Sequence, residues 1–99
     1  MSKSSARERI LVVDDDADIR LAMEMSLTYH GYEVLVAKDG EEALARLAKE
    51  RDAGASPALV ITDLKMPRLD GMGLLERLQG SGLPVVVVSG HGDVATAVE

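Results

Sequence analysis

Apolar residues in this chain gather into four short continuous runs, separated by stretches whose apolar positions recur at helical spacing. Ile10-Leu11-Val12-Val13 is the first run, and it stops abruptly at Asp14-Asp15-Asp16. Glu33 to Ala37 and Ala58 to Thr62 are the next two, the latter ending at Asp63. Val85-Val86-Val87-Val88 is the fourth, introduced by Pro84 and followed by Ser89. Short runs rich in β-branched residues and apolar at consecutive positions predict strands buried on both faces, as in a parallel sheet.

Between the runs the period changes. Ile19, Ala22, Met23 and Leu27 predict a helix from Ala17 to about Tyr29, capped by Asp16 or a neighbour and followed by Gly31. Ala43, Leu44, Leu47 and Ala48 predict a second helix that fades near Arg51, with Asp39 as N-cap and Glu42 completing a capping box. A turn-rich loop from Lys65 to Gly71 precedes a short third helix carrying Met72, Leu74, Leu75 and Leu78, which Gly80 and Gly82 end. A fourth helix is expected to begin at Asp93 and run to Glu99. Strict alternation of strand and helix predicts an α/β fold with a parallel sheet, helices on both faces and right-handed crossovers. One domain over residues 10–99 is expected, after a polar, disordered tail over residues 1–9.

Composition narrows the function classes. There are two Tyr and no Phe or Trp, so Val, Leu, Ile, Ala and Met must build the core. Cys is absent, which excludes disulfides and thiolate metal sites. The net charge of −6 disfavours nonspecific nucleic-acid binding but not the binding of a cation by clustered acids. No apolar run approaches the roughly 20 residues of a membrane span, and the polar start lacks a signal-peptide core. A cytoplasmic protein without a membrane role is expected. The methionines Met23, Met25, Met66 and Met72 read as packing residues. His30, beside Gly31 at a helix end, suits the negative end of the helix dipole.

In open α/β sheets, ligands bind outside the carboxyl ends of the strands. Asp14, Asp15 and Asp16 end the first strand, Asp63 the third and Ser89 the fourth. If those strands are neighbours, the carboxylates converge and repel one another unless a cation joins them. An all-oxygen ligand set suits Mg²⁺, and a carboxylate beside it can act as a nucleophile towards phosphorus. Taken singly, each feature has a plainer reading. An acidic triplet can serve a helix dipole, Asp63 can be a loop residue, and Ser89 a helix cap.

ILVVDDDADIR, LVITDLKMPRLDG and VVVVSGHGD, in this order, resemble the three successive signatures of receiver domains of bacterial two-component response regulators. The flavour is that of receivers attached to sigma-54 activators and of dicarboxylate- and nitrogen-fixation-type regulators. The resemblance covers nearly the whole chain after the tail. It implies a flavodoxin-like parallel sheet of strand order 2-1-3-4-5. It implies that Asp14 and Asp15 position Mg²⁺, that Asp63 is the phosphoacceptor, and that the backbone carbonyl of Lys65 completes the metal shell. Ser89 matches the switch hydroxyl, and Lys65 and His91 match positions that tune loss of the phosphoryl group. A solvent-exposed loop residue is the plainer reading of His91. The implied partners are a histidine kinase and an output domain outside these 99 residues, DNA-binding being one option. The pattern departs from the family after Glu99, where the fifth strand, its Lys-Pro and the fifth helix would follow. A truncated receiver is therefore expected to lack that Lys and to expose Val85–Val88 as an edge strand. Such a chain is expected to self-associate through that edge or through the uncovered face of the sheet.

Two other functions compete. A haloacid dehalogenase-type phosphatase also uses an Asp-x-Asp after its first strand, a spacing that Asp14-Asp15-Asp16 contains. Its motif continues to a Thr or Val where this chain has Asp18, and the chain is short for such an enzyme. A non-catalytic, dimerising receiver fragment is the other. As a receiver, the protein is expected to be no enzyme beyond its own phosphorylation and dephosphorylation.

Overall fold

A computed structural model describes residues 8–66 and 68–88. Strands and helices alternate through them: β1 (Arg9–Val13), α1 (Ala17–Tyr29), β2 (Glu33–Ala37), α2 (Gly40–Asp52), β3 (Leu59–Asp63), α3 (Gly71–Leu78) and β4 (Val85–Val88). The strands form one parallel sheet in the order β2-β1-β3-β4, the flavodoxin-like arrangement expected. β4 is an edge strand among the described residues. The helix expected over 93–99 and most of the expected tail lie outside the described residues.

The two faces of the sheet are covered unequally. Leu11, Val13, Leu35, Ala37, Val60, Val85 and Val87 pack against Ala43 and Leu47 of α2 and Leu74, Leu75 and Leu78 of α3. All of these are buried, and with no Phe or Trp in the chain the core is aliphatic. Ile10 and Val12 point to the other face, where α1 packs on β1 and β2. α1 has no fully buried residue. Met23 and Leu27 of its expected apolar stripe are half-buried, whereas Ile19 and Ala22 are exposed. Among the described residues α1 is alone on its face, and no other described helix closes against its flanks. Two methionines expected to pack do not: Met25 is 64% and Met72 46% exposed.

Each helix begins on an aspartate. Asp16 accepts hydrogen bonds from the amides of Asp18 and Ile19, Asp39 from Glu42, and Asp70 from Gly73. Caps of this kind stabilise by about 1 kcal/mol each. The capping box of α2 is shifted by one residue. Glu42 Oε1 accepts from the amide of Lys38, at 2.7 Å, and not from that of Asp39.

Arg9 does not belong to the tail. It is the first residue of β1, opposite Glu33, and its guanidinium donates to Glu50 Oε1 at 2.9 Å and to the carbonyl of Ala55. Arg46, one helical turn before Glu50, donates to the other carboxylate oxygen at 3.1 Å. Glu50 thus joins the start of β1 to the end of α2. Hydrogen bonds from Arg46 and then Arg9 hold its carboxyl below the usual range, against an opposing effect of burial. A depressed folded-state pKa contributes stability above the unfolded value, and that stability is lost as pH falls through the folded one. Glu50→Gln should therefore lower the urea midpoint at neutral pH. The deficit should shrink as the pH is taken down through the carboxylate range. A deficit that stays constant with pH would mean that charge is not what Glu50 contributes.

Candidate functional site

Parallel strands in one register end on one edge. Val13 pairs with Thr62, so the next residues, Asp14 just past β1 and Asp63 at the end of β3, lie side by side. One carboxylate oxygen from each of Asp14, Asp15 and Asp63 lies within 4.8 Å of the others. Asp14 is 6% exposed, Asp63 is half-buried and Asp15 is exposed. The site therefore has a buried floor and an open rim.

Three contacts fix Asp14. Its amide donates to the carbonyl of Ala37 at 3.1 Å, extending the pairing with β2 by one residue. Its Oδ1 accepts from the amide of Asp16 at 2.9 Å. Its own carbonyl accepts from Arg20 Nη1 at 2.7 Å. Asp63 is held through its backbone. The buried Thr62 hydroxyl donates to its carbonyl at 3.0 Å, and the Leu64 amide donates to Val88 at 2.9 Å.

Two glycines allow the neighbouring elements to close in. A Cβ on Gly71 would collide with the carbonyl oxygen of Asp63 and lie 3.0 Å from the Cα of Leu64. α3 therefore starts directly against the end of β3, and the amide of Gly71 donates to Leu64 at 2.9 Å. Gly40 meets Leu69 in the same way and donates to its carbonyl at 3.0 Å. The loop from Leu64 to Asp70 is thereby closed at its neck and fastened at its tip. Lys65 lies on this loop and is exposed, while Met66 and Leu69 pack against the core.

Burial is the largest cause pushing the Asp14 carboxyl above its usual range, and the amide of Asp16 opposes it. The charges of Asp63, Asp15 and Asp16 then add to the upward push. A cation would relieve both burial and repulsion. Three convergent carboxylates offering oxygen alone fit a hard divalent ion of the Mg²⁺ type, which keeps water in its remaining positions.

Asp14, Asp15 and Asp63, separated by up to 49 residues in sequence, are thus brought together. Ser89 and His91 lie outside the described residues. Arg20, Thr62 and the capping Asp39 were not legible as parts of this region. The partners of Arg20 and Thr62 are backbone groups that no spacing along the chain marks, and the spacing of Asp39 to Glu42 marks it as a helix cap without revealing its distant side-chain partner.

A doubly wound parallel sheet with an acidic trio at the ends of its first and third strands has the anatomy of a receiver domain. Residues 10–99 match the response regulator receiver domain family, and the chain belongs to it. It is the receiver domain of a two-component response regulator. It is 43% identical over 93 residues to the probable transcriptional regulator ycf27 of Porphyra purpurea, covering 93% of this chain and 36% of that protein. Identity to the response regulator MprA of Mycobacterium tuberculosis is 41% over 92 residues, covering 91% of this chain and 38% of that one. Among solved structures, a response regulator receiver domain protein from Clostridium thermocellum superposes with a TM-score of 0.76 at 35% identity, covering 87% of this chain and 68% of that one. The chain spans little more than a third of the length of these curated relatives. No helix among the described residues is long and apolar enough to cross a membrane.

The raised pKa of Asp14 has a defined sign. A carboxyl whose folded pKa exceeds its unfolded value contributes stability below the unfolded pKa, and loses it as pH rises through the folded one. Ionised Asp14 therefore weakens the metal-free fold at neutral pH. Asp14→Asn keeps an oxygen for the Asp16 amide and removes the charge. In chelator at pH 7 the variant should unfold at higher urea than the parent. The advantage should fade as pH drops through the raised pKa. A variant equal to or weaker than the parent at pH 7 would refute the electrostatic account.

Proposed function

We propose that Asp63 is the phosphoacceptor, taking a phosphoryl group from the phosphohistidine of a histidine kinase. The observation that carries this reading is the convergence of Asp14, Asp15 and Asp63 at the carboxyl edge of a receiver fold. In the transfer, an oxygen of Asp63 forms the new O–P bond as the P–N bond breaks. The electron pair of the broken bond stays on the imidazole nitrogen.

Asp14, Asp15 and Asp63, with the backbone carbonyl of Lys65, would hold Mg²⁺. When bound, the ion supplies positive charge that offsets the negative charge on the transferring group. The protein's own part is positional. Asp14 is immobilised by the Ala37 carbonyl, the Asp16 amide and Arg20, while Asp63 is half-exposed and free to meet an incoming phosphorus. Ser89, one residue beyond the end of β4, is proposed as the hydroxyl that turns to the phosphoryl group. On this reading the domain has self-phosphorylating and self-dephosphorylating activity and no turnover of an external substrate.

The relatives run on well beyond the part matched here, and one is described as a probable transcriptional regulator. We therefore read this receiver as the input half of a cytoplasmic regulator whose output segment acts on transcription.

Intact-mass analysis after incubation with acetyl phosphate and Mg²⁺ tests the assignment. The parent chain should gain the mass of one phosphoryl group, and chelator should abolish the gain. Asp63→Asn should gain none. Equal incorporation in that variant would move the acceptor elsewhere, and no incorporation in the parent would count against a competent site.

A further inference from the structure

Arg68 lies at the tip of the loop that follows the acceptor strand. Its backbone is left-handed, with φ of 68°, and it is the one described residue other than glycine in that region. A side chain is seldom placed there without something to hold it. Here the guanidinium reaches α2. Its Nε lies 3.6 Å from Asp39 Oδ2, and its Nη1 donates to Glu41 Oε1 at 3.1 Å.

Asp39 serves two partners at once. Its Oδ1 caps α2 by accepting from Glu42, which leaves Oδ2 to face Arg68. The carboxylate is buried, so this pairing is less screened than one between two exposed side chains. Next to it the Gly40 amide donates to Leu69, so the loop tip is fastened by a charge pair and a backbone bond together.

These contacts close a ring around the acidic trio. From Asp63 the chain runs through the loop to Arg68 and crosses to Asp39. Two residues back lies Ala37, whose carbonyl holds the amide of Asp14. The link from Arg68 to Asp39 is the part of this ring that depends on side chains outside the sheet.

We propose that Arg68 is a positioning residue. It latches the β3–α3 loop onto the start of α2 and so holds Asp63 and the loop in register with Asp14. This inference rests on the reading of Asp14, Asp15 and Asp63 as a cation site. It adds that the geometry of the site is set from the far side of the loop by a residue that touches neither metal nor phosphorus.

Two substitutions break the latch gently. Arg68→Gly removes the guanidinium but accepts the left-handed backbone, and Asp39→Asn keeps the helix cap but removes the charge. Both should be studied in the full 99-residue chain, alone and combined. In metal-free protein, hydrogen exchange at the Gly40 amide should speed up by about threefold or more in each variant, with Val60 in the sheet unchanged. In a Mg²⁺ titration followed by the amides of 14–16 and 63–65, each should bind about threefold or more weakly than the parent. The double variant should be little worse than Arg68→Gly alone, because that substitution already removes the charge facing Asp39. Unchanged exchange at Gly40 would overturn the latch. Faster exchange with unchanged Mg²⁺ affinity would overturn its positioning role, as would strictly additive losses. If the parent itself binds no Mg²⁺ while exchange at Gly40 responds, the latch stands and the cation site is what fails.

Discussion

Side-by-side parallel pairing of β1 and β3 is the constraint on which the rest of this structure depends. In an antiparallel pair, the residues after Val13 and Thr62 would leave from opposite edges of the sheet. Parallel pairing in this register instead delivers Asp14 and Asp63 to one place. It also imposes the remainder of the architecture. Parallel neighbours need crossovers, the crossovers here are helices, and each helix start returns to the same edge as the strand ends. That edge collects Asp14, Asp15, Asp16, Asp39, Asp63 and Asp70. Asp16, Asp39 and Asp70 are neutralised in part by helix amides. Among the described residues the remaining three share a site, where Asp14 accepts a single amide, that of Asp16. The fold thus separates the helix-capping aspartates from the clustered ones by whether a helix start is within reach.

The strands were legible because each carries apolar residues at consecutive positions. Val12-Val13, Val60-Ile61 and Val85–Val88 admit few other readings. The helix starts were legible because Asp16 and Asp39 stand immediately before helical periods. Convergence of Asp14 with Asp63 was not readable from spacing alone. It requires β1 and β3 to be neighbours although β2 lies between them in sequence, and the receiver resemblance supplied that order. Arg9 was misplaced because a charged residue next to a polar stretch looks like tail. Its burial depends on Glu50, 41 positions away, which no local pattern reveals. The apolar stripe of α1 was over-read for a related reason. Periodicity says which side of a helix is apolar, and tertiary neighbours decide how much of that side is covered.

Asp14 is stabilised as a structural element and destabilised as a charge. Its backbone is held at both amide and carbonyl, yet its carboxyl is buried among like charges. Such a group cannot relax by moving away, so the repulsion persists until protons or a cation arrive. This gives the metal-free fold a small reserve of unfavourable energy placed where a ligand can release it, which is a common way for binding sites to exchange stability for affinity.

Gly71 carries a mechanical consequence. Because it lacks a side chain, the first turn of α3 abuts the carbonyl of Asp63, with no intervening layer to absorb movement. The start of α3 and the end of β3 are therefore in direct contact. A displacement of the Asp63 backbone would be carried along α3 to Leu78, one of the residues lining a groove with Leu47 and Leu83 at the opposite edge of the sheet. The omission of one methyl group thus leaves no slack between the end of β3 and the helix that leads to that groove.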